Sequence, residues 1–288
     1  MIHIVTDSGA HFPTPHIATN VTVIPNRLTI AGKTYREGVD IGAEEALRLI
    51  AAQTSAPTIT PPSVQDYSDV FTRLARDTQG IVAILTSRTL SQSWANARAA
   101  GEALSGHCPL MVIDSRTVST GQALLVRLAT RLIEAGGATF DDVVKAVRGV
   151  VERVYAVYYT ESMDFLMQNH IMPASHGILG MMLNLKPVLA VEEGEIVPIE
   201  KVRTRTQGLD RLVEFAVEFT DLEEVMIAQP RVGITEGTRH LQERLAFEFP
   251  GRHFPHAIYG ASLAALIGTD ALGLVILERE GTTENDDF

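Results

Sequence analysis

The chain has 288 residues, 45% of them hydrophobic and 20% charged, with 24 Lys and Arg against 35 Asp and Glu. That length allows two modest domains or one large one, with a sizeable core. The net charge of −11 argues against a nucleic-acid partner and against a polybasic membrane-surface role, since both need clustered cations. The single cysteine, Cys108, supports neither a disulfide framework nor a zinc cluster and suits a reducing cytosol. Met1-Ile-His-Ile-Val-Thr6 lacks a basic n-region and a long apolar h-region, so no signal peptide is predicted. No apolar run approaches the roughly 18 residues of a membrane span, so no stable membrane insertion is predicted and the expected location is the cytoplasm.

Taken in order, Ile2–Val5 is a short apolar strand that empties into Thr6-Asp7-Ser8-Gly9. Extended segments follow at Val21–Ile24 and Arg27–Ile30, with a hairpin-like turn at Ala31-Gly32-Lys33 leading to Thr34-Tyr35. Residues 43–52 have helical spacing, with Ala46, Leu47, Ile50 and Ala51 on one face. The prolines of Ala56-Pro-Thr-Ile-Thr-Pro-Pro-Ser63 exclude a helix and favour an extended loop. Ser63 then caps a helix whose Tyr67, Val70, Phe71 and Leu74 share a face.

The run Ile81–Leu85 turns abruptly into hydroxyls, Thr86, Ser87, Thr89, Ser91 and Ser93, and then into an alanine-rich helix. Pro109–Ile113 repeats the pattern: a strand, the turn Asp114-Ser115, then a helix to about Ala135. Strands alternating with helices predict a parallel sheet covered on both faces. Its turns 6–8, 86–87 and 114–115 then lie on one edge, the place where open α/β sheets bind ligands. A further helix spans about 139–153.

From Val154 the texture changes. Val154–Tyr159 reads as a strand. Met163, Met167, Met172, Met181 and Met182 are then interleaved with Phe165, Leu166, Ile171, Ile178, Leu179 and Leu183. Residues 187–191 and 196–202 form a hairpin, followed by helix 207–219, strands 224–227 and 232–234, and helix 236–247. An extended segment near 253–259, a short apolar stretch at 261–267 and a last strand at 272–278 complete it. The predicted division is 1–155, α/β, and 156–288, α+β, with 279–288 a polar tail expected to fray.

Three features could carry chemistry. First, Thr60, Ser91, and Thr86 or Thr58 form a hydroxyl set suited to an anionic or carbonyl head group near a helix N-terminus, although Ser and Thr cap helices and fill turns everywhere. Second, the Met-rich segment suits a wall against an aliphatic chain of variable shape, and equally a plain core. Third, Lys201, Arg203, Arg205 and Arg211 suit an acidic partner or a solvated strand end. Other constellations are missing. Gly260-Ala-Ser-Leu-Ala264 fails the nucleophile-elbow pattern at its last glycine. No Walker loop, G-x-G-x-x-G or H-E-x-x-H occurs. A Ser–His–Asp device assembled in space stays open.

Several stretches together resemble the DegV family of fatty-acid-binding proteins. They are Ile4-Val-Thr-Asp-Ser-Gly9, Thr58-Ile-Thr-Pro-Pro-Ser-Val-Gln-Asp-Tyr67, Leu85-Thr-Ser-Arg-Thr-Leu-Ser91, Val112-Ile-Asp-Ser-Arg-Thr-Val-Ser-Thr-Gly121, Gly177–Pro187 and Ala271–Val275. The resemblance runs over essentially the whole chain. It implies an α/β, two-domain fold: a parallel-sheet N-terminal domain with helices on both faces, and a smaller α+β C-terminal domain. A long-chain fatty acid, such as palmitate or oleate, would lie between them. Its carboxylate would be held by Ser91 with Thr60 or Thr58, and its tail by Phe165, Leu166, Met167, Ile178, Leu179 and Met182. The resemblance implies no catalytic residue, metal or cofactor, and presentation of the acid to a separate fatty acid kinase. Arg203 matches a family arginine and is a candidate for partner docking. The family's other arginine falls on Ile171 and its late histidine on Leu266. The rival expectation is a serine-dependent acyl hydrolase or transferase at the same crevice, acting through Ser91.

Overall fold

The computed structural model describes residues 1–12, 18–102 and 108–279. The first part of the chain runs β1 (Ile2–Asp7), β2 (Val21–Ile24), β3 (Arg27–Ile30), β4 (Lys33–Arg36), α1 (Ala43–Ala51), β5 (Thr58–Thr60), α2 (Val64–Leu74), β6 (Gly80–Leu85), α3 (Ser93–Glu102), β7 (Leu110–Asp114), α4 (Thr120–Glu134) and α5 (Phe140–Val151). The rest runs β8 (Val154–Tyr159), α6 (Asp164–Gln168), α7 (Ala174–Met182), β9 (Lys186–Glu192), β10 (Glu195–Val202), α8 (Arg205–Val217), β11 (Leu222–Gln229), α9 (Glu236–Glu248), β12 (His256–Ile258), α10 (Ala261–Ile267) and β13 (Leu272–Glu278).

The strands form three sheets. Four form a parallel sheet in the order β2-β1-β6-β7. Six form a second sheet, β10-β9-β8-β13-β11-β12, antiparallel except between β11 and β12. A small antiparallel sheet, β4-β3-β5, accompanies the first.

Side-chain alternation places the helices. In β6, Ile81, Ala83 and Leu85 pack with Tyr67 and Phe71 of α2 and Ala97 and Ala100 of α3. Val82 and Ile84 point the other way, into a core shared with Leu124, Leu125 and Ala129 of α4. Both faces of the strand are buried, which is why Ile81–Leu85 reads as a continuous apolar run rather than an alternating one. The same core continues to Ala156 and Tyr158 of β8 and Val275 and Leu277 of β13. So α4 lies between the two large sheets, and nine of its residues, including the polar Thr120, Gln122 and Thr130, are buried. An Arg127–Glu224 ion pair at 2.7 Å ties α4 to β11. The far face of the second sheet is closed by α8 and α9, where Leu209, Leu212, Val213, Leu241 and Leu245 meet Leu274 and Ile276.

Local signals account for the ends of the helices. Ser63, Thr139 and Thr204 each form a capping box, with Asp66, Asp142 and Gln207 respectively, a device worth about 1 kcal/mol apiece. One expected element is not a strand. Residues 232–234 form a bend, because Pro230 follows β11, Gly233 takes φ +81°, and the Gln229 side-chain amide donates to the carbonyls of Arg231 and Gly233. The tail expected to fray, 279–288, lies outside the described residues save for Arg279, whose N–H donates to the Asp221 carbonyl at 3.0 Å.

One glycine is dictated by packing between strands. A Cβ on Gly273 of β13 would stand 2.2 Å from Tyr158 Cδ1 and 2.5 Å from the Val157 carbonyl oxygen. Gly273→Ala is expected to destabilise the protein by roughly 1–3 kcal/mol, read as a lower urea midpoint with an unchanged m value.

Candidate functional site

The junction after β6 builds the site. The buried strand ends at Leu85, and the chain turns through Thr86 and Ser87. The Ser87 carbonyl accepts the N–H groups of Leu90 at 3.0 Å and Ser91 at 2.9 Å. Ser91 Oγ accepts the Ser93 N–H at 3.2 Å, so its hydroxyl sits beside the first turn of α3 and is half-buried. A cavity of about 230 Å³ opens at this point. Its polar side carries Ser91, Gln92, Thr86, Thr89, Asn26 and Ser262, and its apolar side Ile59, Pro61, Leu90, Val118 and Leu266. Three parts of the chain meet here: the C-terminal edge of the parallel sheet, the Pro-rich β5 segment, and α10.

Two buried carboxyl groups stand behind this wall, and neither has a cation partner among the described residues. Asp7, at the end of β1, accepts the Gly9 N–H at 2.8 Å, the Thr86 N–H at 3.1 Å, the Thr86 hydroxyl at 2.6 Å and the Gln122 amide at 3.3 Å. Gly9 is required: its Cβ would fall 2.0 Å from Thr86 Oγ1. Glu37 accepts from Ser262 Oγ at 2.6 Å, Ser8 Oγ at 2.8 Å and the Ser262 N–H at 3.0 Å. Burial pushes the Glu37 carboxyl above its ordinary range, opposed by the hydrogen bonds from Ser262, Ser8 and Asn26. On the other side of Glu37 a second cavity, of about 410 Å³, is lined by His11, Phe12, Val23 and Val39. Desolvation lowers the His11 imidazole to about 4.

The structure brings some of the expected residues together and separates others. Ser91 and Thr86 share the cavity, but the Thr86 hydroxyl donates to Asp7. Thr58 and Thr60 are exposed, and the residue between them, Ile59, lines the cavity instead, because alternate residues of β5 face opposite ways. Leu266, where the resemblance expects a histidine, is on the cavity wall. Leu166 is fully buried and packs in the main core, with Phe165 at its edge. Met167 packs against Gly177, whose Cβ would lie 2.2 Å from its sulfur. Ile178, Leu179 and Met182 of α7 are 52%, 55% and 79% exposed, and none of them lines the cavity that holds Ser91. Arg203 lies elsewhere, in a shallow depression of about 630 Å³ with Lys201, Glu200, Arg211 and Glu214.

Four residues of the site were not anticipated: Asn26, Glu37, Gln122 and Ser262. Each is a polar residue that no spacing or motif in its own segment singles out. Ser262 lies in the segment Gly260–Ala264, which fails as a nucleophile elbow, and its neighbour is Glu37 rather than a histidine.

Residues 1–279 match the family described as "Uncharacterised protein, DegV family". The chain belongs to the DegV family. A DegV domain-containing protein of Caldanaerobacter subterraneus is 28% identical over 284 residues, covering 96% of this chain and 99% of the relative. Protein DegV of Bacillus subtilis is 23% identical over 275 residues, covering 95% and 98%. Among solved structures, the fatty acid binding DegV family protein of Streptococcus agalactiae superposes with a TM-score of 0.86 at 24% identity, over 97% of this chain and 99% of that one. The Streptococcus pneumoniae Fatty Acid Kinase (Fak) B3 protein loaded with linoleic acid gives 0.82 at 20% identity, over 96% and 99%. The DegV fold is therefore that of the whole chain: a parallel-sheet α/β unit joined to an α+β unit.

His11 and Glu37 act on stability in opposite directions. With its imidazole lowered from 6.5 to about 4, the folded chain binds fewer protons at His11 than the unfolded chain does. That contribution is complete above pH 6.5 and is lost as pH falls towards 4, by up to about 3 kcal/mol. Glu37 keeps its proton in the folded state where the unfolded chain has lost it, so its contribution declines as pH rises above the ordinary carboxylate range. Urea midpoints measured across pH are expected to show a smaller acid-side loss in His11→Gln and a smaller decline with rising pH in Glu37→Gln. Curves parallel to the parent would contradict both assignments.

Proposed function

We propose that this DegV-family protein binds a long-chain fatty acid such as palmitate or oleate, holding the carboxyl end at Ser91, and carries or presents it for lipid metabolism. The observation that supports this most directly is the cavity itself, with a hydroxyl over a helix start on one wall and Ile59, Pro61, Leu90, Val118 and Leu266 on the other. That is a site for a molecule with one small polar end and an aliphatic body. The fatty-acid-binding proteins with which it shares the fold point the same way.

At about 230 Å³ the cavity is below the roughly 300–1,000 Å³ usual for ligand pockets, so it takes the head group and the first carbons only. The rest of the tail would pass Leu266 towards α6 and α7. Asn169 bonds the α10 carbonyls of Ala265 at 2.8 Å and Leu266 at 3.3 Å, which links that layer to the cavity wall. Phe165, Leu166 and Met167 would flank the tail there, and the outward Ile178, Leu179 and Met182 are apolar surface available to receive it. Each buried CH₂ gives about 0.8 kcal/mol, so some ten of them offset an ordering cost of several kcal/mol without an ion pair to the head group. Thr60 and Thr58, at the rim on β5, are second to Ser91 as head-group contacts in this reading, and Thr86 acts through Asp7.

The same proposal divides the chain near residue 155, where β8 enters the antiparallel sheet, with the head-group site on 1–155 and most of the tail surface on 156–279. It gives the protein no catalysis of its own, no cofactor and a cytoplasmic setting. A separate fatty acid kinase would act on the presented acid, with exposed Arg203 as a docking contact. Serine-dependent hydrolysis or acyl transfer has less support. Ser91 bonds Ser93 and Ser262 bonds Glu37, so neither is paired with a histidine base.

Native or extraction mass spectrometry of the purified protein is expected to find a bound C16–C18 acid, or uptake of palmitate or oleate by delipidated protein. Ser91→Ala is expected to weaken that binding by roughly tenfold, the loss of one hydrogen bond to the head group. Protein that purifies empty and takes up neither acid would sink the reading.

A further inference from the structure

The hydrogens of the cavity can be accounted for one by one. Each hydroxyl has a single proton to donate. That of Ser262 goes to Glu37 at 2.6 Å, that of Thr86 to Asp7 at 2.6 Å, and that of Thr89 to the Gly194 carbonyl at 2.6 Å. The Asn26 amide nitrogen donates to Ser262 Oγ at 3.0 Å, which places the amide oxygen away from that serine. That oxygen is buried and has no partner among the described residues. What these groups can still offer is lone pairs. Among the side chains, Ser91, whose hydroxyl donates only to Ser93 Oγ at 3.2 Å, and the exposed Gln92 are the donors most readily turned to a ligand. Among the described residues no Lys, Arg or His lines the cavity, while Asp7 and Glu37 stand behind it, with His11 beyond Glu37.

A carboxylate only accepts hydrogen bonds, and it would enter a site rich in acceptors, with no cation and two carboxyl groups behind the wall. A neutral carboxylic acid accepts from Ser91 through its carbonyl and donates its O–H to one of the waiting lone pairs. We infer that the ligand's polar end carries a hydrogen-bond donor where it is held, so that the site takes an acyl chain ending in a protonated carboxyl or another neutral donor group in preference to a permanently ionised head. This rests on the fatty-acid reading and narrows it to one protonation state. Glu37 sets the preference without touching the ligand: by drawing the Ser262 proton inward, it leaves that hydroxyl an acceptor. It is a positioning residue.

The test compares palmitic acid, palmitamide and hexadecane-1-sulfonate on delipidated full-length protein at about pH 8, where the sulfonate is always charged and the amide never is. Binding is read from the fluorescence of the single tryptophan, Trp94, at the start of α3. The expected result is palmitamide within about tenfold of palmitic acid and the sulfonate weaker than either by a further ten- to hundredfold, the consequence of leaving buried acceptors unpaired. A sulfonate that binds as tightly as the acid, or an amide more than about a hundredfold weaker than the acid, would overturn the inference. Failure of all three to bind would overturn the fatty-acid reading and the inference with it. In Glu37→Ala the Ser262 hydroxyl loses its acceptor and is released to donate, so the preference of the acid and amide over the sulfonate should narrow by about tenfold. If that variant folds and its selectivity is unchanged, the role given to Glu37 is wrong.

Discussion

A buried carboxyl group with no cation partner among the described residues organises the edge of this protein where the cavity opens. Asp7 sits at the C-terminal end of β1 with no exposed surface, and four donor groups converge on it, from Gly9, Thr86 twice, and Gln122. Burial of an unsupported carboxylate is expensive, so the surrounding chain has to bring neutral donors to it. Doing so draws the β1 turn, the β6 turn and the first turn of α4 to one point. Gln122 also donates to Thr6 Oγ1 at 2.9 Å, and Thr6 in turn donates to the Ile84 carbonyl at 2.7 Å, so β1, β6 and α4 are held by one continuous network.

Glu37 repeats the arrangement at the junction of the small sheet with α10. Ser8 comes from the end of β1, Asn26 from the start of β3 and Ser262 from α10, more than two hundred residues further along the chain. The wall of the cavity is thus made of polar residues that already have partners behind them. Such a wall is held in position by those partners. The apolar wall is simpler: Ile59 and Pro61 are held on an extended strand by the prolines around them, and Leu266 by the short helix that Asn169 ties to α6.

Much of the architecture was legible before any coordinates. Ile81–Leu85 announced a strand buried on both faces, and the apolar runs at 2–5 and 109–113 placed three Ser/Thr/Asp turns on one edge, where the cavity is found. The position of Ser91 beside the helix start was legible for the same reason: it is a hydroxyl just before an alanine-rich helix. Thr60 was less so. The alternation along Thr58-Ile59-Thr60 puts either the threonines or the isoleucine inward, and a three-residue strand carries no period long enough to say which. The strand expected at 232–234 failed because its apolar Val232 and Ile234 flank a glycine with positive φ, which only the bend required.

By itself the sequence determined the order and type of most elements, the parallel character of the first sheet and the edge on which its turns gather, because those follow from periodicity, turn residues and chain connectivity over short distances. It also carried the family membership, spread through motifs along the whole chain. Only the tertiary structure decided which polar residues face one another. Ser262 reaches Glu37 across 225 positions and Asn26 across 236. No local pattern encodes such a pair, since a hydrogen bond depends on where two segments meet and not on the residues beside either one. The tertiary structure also decided which acceptor each hydroxyl meets: Ser262 meets Glu37, Thr86 meets Asp7 and Thr89 meets the Gly194 carbonyl.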